Sequence, residues 1–175
     1  MNQSHWWSLF LQGDKHAFSE IFLASHDNLF RYGMKLTRDP ELINDCIQNL
    51  FLKLWKNRSN LKPVQDIKPY LFKSLRHHII DILELKRQTL PIDQDIEELL
   101  MVEYSAEDFM ISRQVEKETQ EKIIRLLNQL TPRQRHAIYL RYFEEMEFEN
   151  IAQIMDMHVQ SVRNLISRGL QLMRN

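Results

Sequence analysis

Glycine and proline are scarce in this chain, three and five among 175 residues, and cysteine occurs once. So few backbone breakers, beside abundant Leu, Ile, Gln, Glu, Lys and Arg, predict an all-α chain. A single thiol, Cys46, excludes an intramolecular disulfide framework and supplies no metal cluster; it falls in an apolar stripe and reads as a small core residue. The first residues, MNQSHWWSLFLQGDKH, show no basic n-region, long apolar run or small-residue cleavage site, so a cytoplasmic protein is expected. No nucleophile paired with a base, no Gly-rich phosphate loop and no metal-ligand spacing appears, so neither enzyme activity, a cofactor nor a small-molecule substrate is expected. His77 and His78 are adjacent on a helical pattern, which points them about 100° apart and makes them a poor metal pair.

The formal net charge of -1 hides a strong division. Residues 1 to 51 hold 4 Lys/Arg and 6 Asp/Glu, residues 52 to 87 hold 9 and 3, residues 88 to 121 hold 2 and 10, and residues 122 to 175 hold 8 and 5. The blocks are therefore -2, +6, -8 and +3. Two basic surfaces flank one acidic segment, and each is a candidate nucleic-acid footprint.

The most informative stretch is EFENIAQIMDMHVQSVRNLISRGLQLMR. Phe148, Ile151, Ala152 and Met155 recur at helical spacing, and Asp156, Met157 and His158 form a turn. Beyond it, Val159, Val162, Ile166 and Met173 make a buried stripe. Gln160, Ser161, Arg163, Asn164, Ser167 and Arg168 share the opposite face, which carries no acid. Small Ala152 lets the two helices cross closely. Side chains of this kind pair with base edges and phosphates, so the pattern reads as a DNA-binding helix-turn-helix. The alternative is an ordinary helical hairpin, although a merely solvated face usually mixes acids with its bases. Asp156 stands where many such turns carry Gly in a left-handed conformation, which Asp tolerates better than most residues.

Earlier in the chain, Trp6, Trp7, Leu9, Phe10 and Leu11 predict a short helix. Asp14 caps a second carrying Phe18, Ile21 and Phe22 inward, and a third is expected from about Asp27 with Leu29, Phe30 and Met34. Asp39-Pro40 opens a clear helix whose stripe is Ile43, Cys46, Ile47, Leu50, Phe51 and Leu54, leaving Asn44, Asp45, Gln48, Asn49 and Lys53 outward. After the polar loop RSNLKPVQDIKPY, a helix from Pro69 is expected to bury Leu71, Leu75, Ile79, Ile82 and Leu83. Lys73, Arg76 and His77, interleaved with Tyr70 and Phe72, suit phosphate contacts and stacking on an unpaired base. Residues 88 to 114 lose the amphipathic period and read as an acidic linker. The helical pattern resumes at about Val115 with Ile123, Leu126, Leu127 and Leu130, and Thr131-Pro132-Arg133-Gln134 is a strong start signal for the next helix.

Three stretches together resemble the extracytoplasmic-function sigma factors, small members of the sigma-70 family of bacterial RNA polymerase subunits. DCIQNLFLKLWKN (Asp45 to Asn57) is similar to that family's polymerase-binding helix, and PYLFKSLRHHIIDIL (Pro69 to Leu83) to its minus-10 segment. The stretch from Leu127 to Arg174 is similar to the whole minus-35-binding domain. The chain departs from the family patterns at Asn49, His77, Glu84, Asp156 and His158.

The resemblance implies two small helical domains joined by a flexible linker: residues 1–87 for core polymerase and the minus-10 element, 88–114 as linker, and 115–175 for the minus-35 element. It implies that Asp45, Gln48, Asn49 and Lys53 face polymerase, and that the loop with Asn60 and Lys62, together with Tyr70, Lys73, Arg76 and His77, meets the minus-10 region. It likewise implies that Gln160, Ser161, Arg163, Asn164, Ser167 and Arg168 read the minus-35 element. The implied partners are core RNA polymerase, promoter DNA and a membrane-bound anti-sigma factor. A stand-alone helix-turn-helix regulator is the rival reading, disfavoured because a sensing domain needs no +6 surface.

Overall fold

The computed structural model describes residues 3–64, 66–87, 100, 102–105 and 117–174, and among these every regular element is helical. The chain divides into two compact units, Met1–Ile92 and Asp93–Asn175. No helix among the described residues is long and apolar enough to cross a membrane.

The first unit contains α1 (Gln3–Leu11), α2 (Lys15–Leu36), α3 (Pro40–Asn57) and α4 (Lys68–Arg87). Gly13, at φ 93, turns the chain between α1 and α2, and the Asp14 carboxylate then accepts a hydrogen bond from the Ala17 amide at 2.9 Å. Asp39 does the same for α3, accepting from the Leu42 amide at 3.0 Å, with Pro40 in the first turn where its missing N–H costs nothing. Asp66 accepts from the Lys68 amide at 2.9 Å and opens α4.

The break expected near Asp27 does not occur: α2 runs unbroken for 22 residues, with Asp27 exposed in its middle beside His26. The stripe Ala17, Ile21, Ser25, Leu29, Tyr32 and Leu36 continues through it, and no Gly or Pro interrupts the segment before Gly33. A cap-type residue inside a continuous buried stripe does not end a helix, because tertiary packing outweighs a propensity difference of a few tenths of a kcal/mol. Met34, expected inward, is 37% exposed. The α3 stripe is buried as expected, from Ile43 to Leu54.

At Gly33, α2 comes closest to α3: a Cβ there would lie 2.6 Å from Ile43 Cγ2, and Ile43 is wholly buried. Aromatic rings fill much of the rest of this core. Phe10 meets Trp7, Phe18 and Trp55, and Tyr32 stacks on Phe72 with centroids 4.3 Å apart.

The second unit contains α5 (Lys117–Asn128), α6 (Pro132–Ile138), α7 (Phe148–Ile154) and α8 (Val159–Arg174). The expected start at Val115 lies outside the described residues. Thr131 and Gln134 close a reciprocal capping box at the head of α6. The helix then widens over Tyr139–Phe143, and the Glu144 amide donates to the Tyr139 carbonyl at 3.2 Å. Gly169 of α8 lets α6 approach: a Cβ there would meet Ile138 Cδ1 at 3.0 Å. Part of the segment read as linker is packed instead. Leu100, Val102 and Tyr104 are all buried, a three-residue alternation that the surrounding acids mask in the sequence.

Gly33→Ala tests the α2–α3 contact. Helix propensity alone gains about 1 kcal/mol, whereas forcing a methyl against a fixed neighbour costs about 1–3 kcal/mol. Thermal unfolding should therefore show net destabilisation, and the Gly33→Ala/Ile43→Ala double variant should lose less than the sum of the two single losses, because alanine at position 43 lacks the Cγ2 and Cγ1 that the added methyl meets.

Candidate nucleic-acid and polymerase interface

The turn between α7 and α8 is built by backbone geometry. Asp156 takes φ 53, the Met155 amide donates to the Ile151 carbonyl at 2.9 Å, and the Met157 amide donates back to the Ala152 carbonyl at 2.9 Å. Those bonds satisfy the last carbonyls of α7 in the manner of a glycine-terminated helix. Asp156 thus adopts the left-handed conformation usually given to Gly. His158 follows, its carbonyl accepting the first bond of α8 from Val162 at 3.1 Å.

Burial of Val162, Ile166 and Gly169 fixes the rotation of α8. Gln160, Arg163, Asn164, Ser167 and Arg168 are then exposed, and Ser161 is half-buried at the edge of the face. Val159 and Met173, expected in the buried stripe, are half-buried. Two of the polar residues are already oriented by neighbours. Gln160 Nε2 donates to Asn164 Oδ1 at 3.0 Å. The Arg163 guanidinium lies 5.0 Å from the centre of the Phe148 ring and 3.9 Å from Glu149 Oε1. Arg141 lies over the same ring at 4.8 Å, so one aromatic side chain at the head of α7 positions two cations.

On the first unit, Asp45, Gln48, Asn49 and Lys53 are all exposed along α3. Beside them is an open apolar trough of about 530 Å³, lined by Phe18, Ser19, Phe22, Leu23, Gln48, Phe51 and Leu52. Leu23 and Leu52 are 68% and 58% exposed. Sequence reasoning missed this trough by treating Phe18 and Phe22 as core. The available signal was Leu52, an apolar residue standing among Gln48, Asn49 and Lys53 outside the stripe.

The α4 face needs correction. Arg76 is only 4% exposed and Phe72 only 1%, so neither is presented to a ligand as expected. The cause is that α4 packs on both α2 and α3, and its buried surface is two columns wide: Leu71, Leu75 and Ile79 with Phe72, Arg76 and Ile80. A single amphipathic stripe is too narrow a template for such a helix. Ile82 and Leu83, expected in the core, are only half-buried. What remains accessible is Tyr70, 38% exposed, with Lys73 and His77 half-buried and Asn60 and Lys62 exposed on the preceding loop. That loop is pinned from behind, because the buried Trp7 indole donates to the Lys62 carbonyl at 3.0 Å.

His78 of α4 lies within hydrogen-bond reach of Lys53 on α3. Burial and then the Lys53 ammonium hold its pKa below the ordinary 6.5, with Asp81 pulling the other way. Neutral His78 accepts the Lys53 proton donor. Its share of stability is therefore full above pH 6.5 and is lost as the pH falls through the lower folded value. His78→Gln keeps an acceptor that does not titrate. Acid unfolding between neutrality and about pH 5 should accordingly be shallower for the variant than for the wild type.

Residues 21–89 match the model for sigma-70 region 2, and residues 120–173 match that for sigma-70 region 4. The ECF RNA polymerase sigma factor SigM of Bacillus subtilis (strain 168) is 21% identical over 155 residues, spanning 89% of this chain and 91% of that protein. SigW of the same organism, also an ECF RNA polymerase sigma factor, is 22% identical over 172 residues, spanning 93% and 90%. Among solved structures, the sigma factor RpoE in complex with the anti-sigma factor NepR from Bartonella quintana aligns with a TM-score of 0.62 at 18% identity, over 90% of this chain and 94% of that one. CnrH in complex with the cytosolic domain of CnrY aligns with a TM-score of 0.62 at 14% identity, over 98% and 94%. These two likenesses carry the all-helical fold. With regions 2 and 4 matched in order and full-length relatives aligned across nearly the whole chain, the protein belongs to the sigma-70 family as an extracytoplasmic-function sigma factor.

Proposed function

We propose that this sigma factor divides promoter recognition between its two units and uses the catalytic centre of core polymerase rather than one of its own. The observation that carries the reading is the α8 face. Five exposed polar residues without an acid are presented by a short helix and a left-handed turn, the geometry that enters a major groove. Gln160, Ser161, Arg163, Asn164, Ser167 and Arg168 read the minus-35 element. Asn60, Lys62, Tyr70, Lys73 and His77 meet the minus-10 region, with Tyr70 the exposed tyrosine of that set, available for stacking on an unpaired base. Buried Arg76 acts behind that face rather than on DNA.

Asp45, Gln48, Asn49 and Lys53 bind core polymerase, and the adjoining Leu23–Leu52 trough takes an apolar side of the same partner. The reading places the protein in the cytoplasm with polymerase and DNA. Run-off transcription with core polymerase tests the whole assignment, because a stand-alone regulator yields no polymerase-dependent transcript start.

Arg163→Ala should weaken binding to the minus-35 element by about 1–3 kcal/mol and relax preference at one base position. An unchanged melting temperature in the variant separates this from loss of the Phe148 contact. Unaltered binding at moderate salt would remove α8 from the recognition role.

RpoE and CnrH are each solved with a partner chain, NepR in one case an anti-sigma factor and in the other the cytosolic domain of CnrY. We infer the same class of partner here, an anti-sigma factor attached to the inner membrane that covers the α3 surface. Inhibitor and polymerase then compete, each lowering the other's affinity by the same factor. A titration with labelled protein, core polymerase and candidate inhibitor domains should show displacement; a stable ternary complex excludes sequestration at α3.

A further inference from the structure

One tripeptide of the second unit serves none of the faces assigned so far. Glu147, Phe148 and Glu149 stand at the head of α7, and each acid meets an arginine: Arg141 Nη1 lies 3.4 Å from Glu147 Oε2, and Arg163 Nη2 lies 3.9 Å from Glu149 Oε1. The ring between the acids receives both guanidiniums, its centre 4.8 Å from Arg141 Cζ and 5.0 Å from Arg163 Cζ.

The two arginines are held unequally. Arg141 also donates to the Met146 carbonyl at 2.8 Å, and its side chain is only 29% exposed. It reaches that carbonyl because the chain reverses over residues 139–146: the Glu144 amide donates to the Tyr139 carbonyl, Glu145 is left-handed at φ 55, and the Met146 amide donates to the Leu140 carbonyl at 3.0 Å. Widened turns of this kind are frequent at functional sites. Arg141 is thus an anchored cation on the Phe148 ring. Arg163 has a looser hold. Its side chain is 52% exposed, and 3.9 Å is beyond hydrogen-bond length, so Glu149 attracts the guanidinium without using up its donors.

An exposed ion pair at that separation is worth little and is screened by salt. The ring holds the planar guanidinium by stacking as well as by charge, and the stacking part is not screened. Phe148 is therefore the main support of Arg163. A base edge demands such support: two parallel N–H bonds to guanine O6 and N7, the commonest specific arginine contact, require the guanidinium plane in one attitude. A side chain that arrives unheld loses rotamer freedom on binding, which lowers affinity roughly three- to tenfold.

We propose that Phe148 is a positioning residue for base recognition: its ring, backed by the anchored Arg141, holds the Arg163 guanidinium in the attitude that reads one guanine of the minus-35 element. The proposal rests on the minus-35 reading of α8. Phe148 acts through Arg163 and not on a base.

The test uses the full-length chain with core polymerase and a panel of minus-35 duplexes changed one base pair at a time. Arg163→Ala identifies the base pair that this arginine reads. Phe148→Leu should lower preference at that same base pair roughly three- to tenfold and leave the others unchanged. Phe148→Tyr, which keeps the ring, should retain the preference, and Glu149→Gln should have a smaller effect that vanishes as salt is raised. In the Arg163→Ala background, Phe148→Leu should add nothing at that base pair. Uniform loss across the panel, or additive losses from the two substitutions, overturns the proposal, since a merely structural ring weakens every sequence alike. A second readout needs no folded variant: in the free wild-type protein the Arg163 side-chain proton resonances should be displaced by the Phe148 ring current, and undisplaced resonances overturn the proposal. If Arg163→Ala alters no base pair, the minus-35 reading of α8 fails and the proposal falls with it. If Arg163→Ala alters one and Phe148→Leu does not, the reading stands and the proposal alone is overturned.

Discussion

The structure depends on polar side chains that do the work glycine does elsewhere. With three glycines in 175 residues, four of the described helices are started by oxygen acceptors aimed at the first turn: Asp14 on Ala17, Asp39 on Leu42, Asp66 on Lys68 and Thr131 on Gln134. Each satisfies one orphan amide and is worth about 1 kcal/mol. The left-handed positions fall to Glu145 and Asp156 as well as Gly13. Glycine is thereby released for a different purpose. Gly33 and Gly169 sit inside helices, at the points where α2 meets α3 and where α6 meets α8.

This constraint explains which parts of the fold were legible in the sequence. A cap is a local signal, an oxygen followed by an amide three residues on, so Asp14, Asp39 and Thr131 could be read directly. Asp27 carries the same local signal and fails, because the buried stripe from Ala17 to Leu36 passes through it without a change of phase. The α3 stripe was readable although α2 and α4 both pack on it, because its two columns, Ile43–Ile47–Phe51 and Cys46–Leu50–Leu54, are three residues apart and share one narrow face. On α4 two neighbours cover two columns, and the second column contains Arg76 and Phe72, residue types that periodicity assigns to a surface or to a ligand. Leu100, Val102 and Tyr104 were invisible for another reason. Three alternating residues among acids are below the length at which a period of two stands out, and Asn128, which bonds the Tyr104 backbone, lies 24 residues away.

The same packing narrows the candidate site. Since Arg76 and Phe72 are committed to the core, the proposed minus-10 face depends on the loop before α4, and the Trp7 indole is one of that loop's anchors. Trp7 is 2% exposed and holds the Lys62 carbonyl, so the first helix of the chain, which touches no expected ligand, sets where Asn60 and Lys62 stand. Arg58, with its guanidinium 4.4 Å from the Trp55 ring and bonded to the Trp55 carbonyl at 2.7 Å, fixes the other end of the turn. A loop held at both ends loses less entropy on meeting DNA than a free one.

The α3–α4 contact links the two faces of the first unit. Lys53 is among the residues assigned to polymerase, and its ammonium donates to His78, next to His77 on the helix assigned to the minus-10 element. A group drawn away by polymerase leaves His78 without that donor and without the nearby positive charge that helps keep it neutral. Its proton affinity then rises, so part of the positive charge that leaves with Lys53 is restored at His78, beside His77. On the proposed assignments, one hydrogen bond thus joins the polymerase face of the first unit to its minus-10 face.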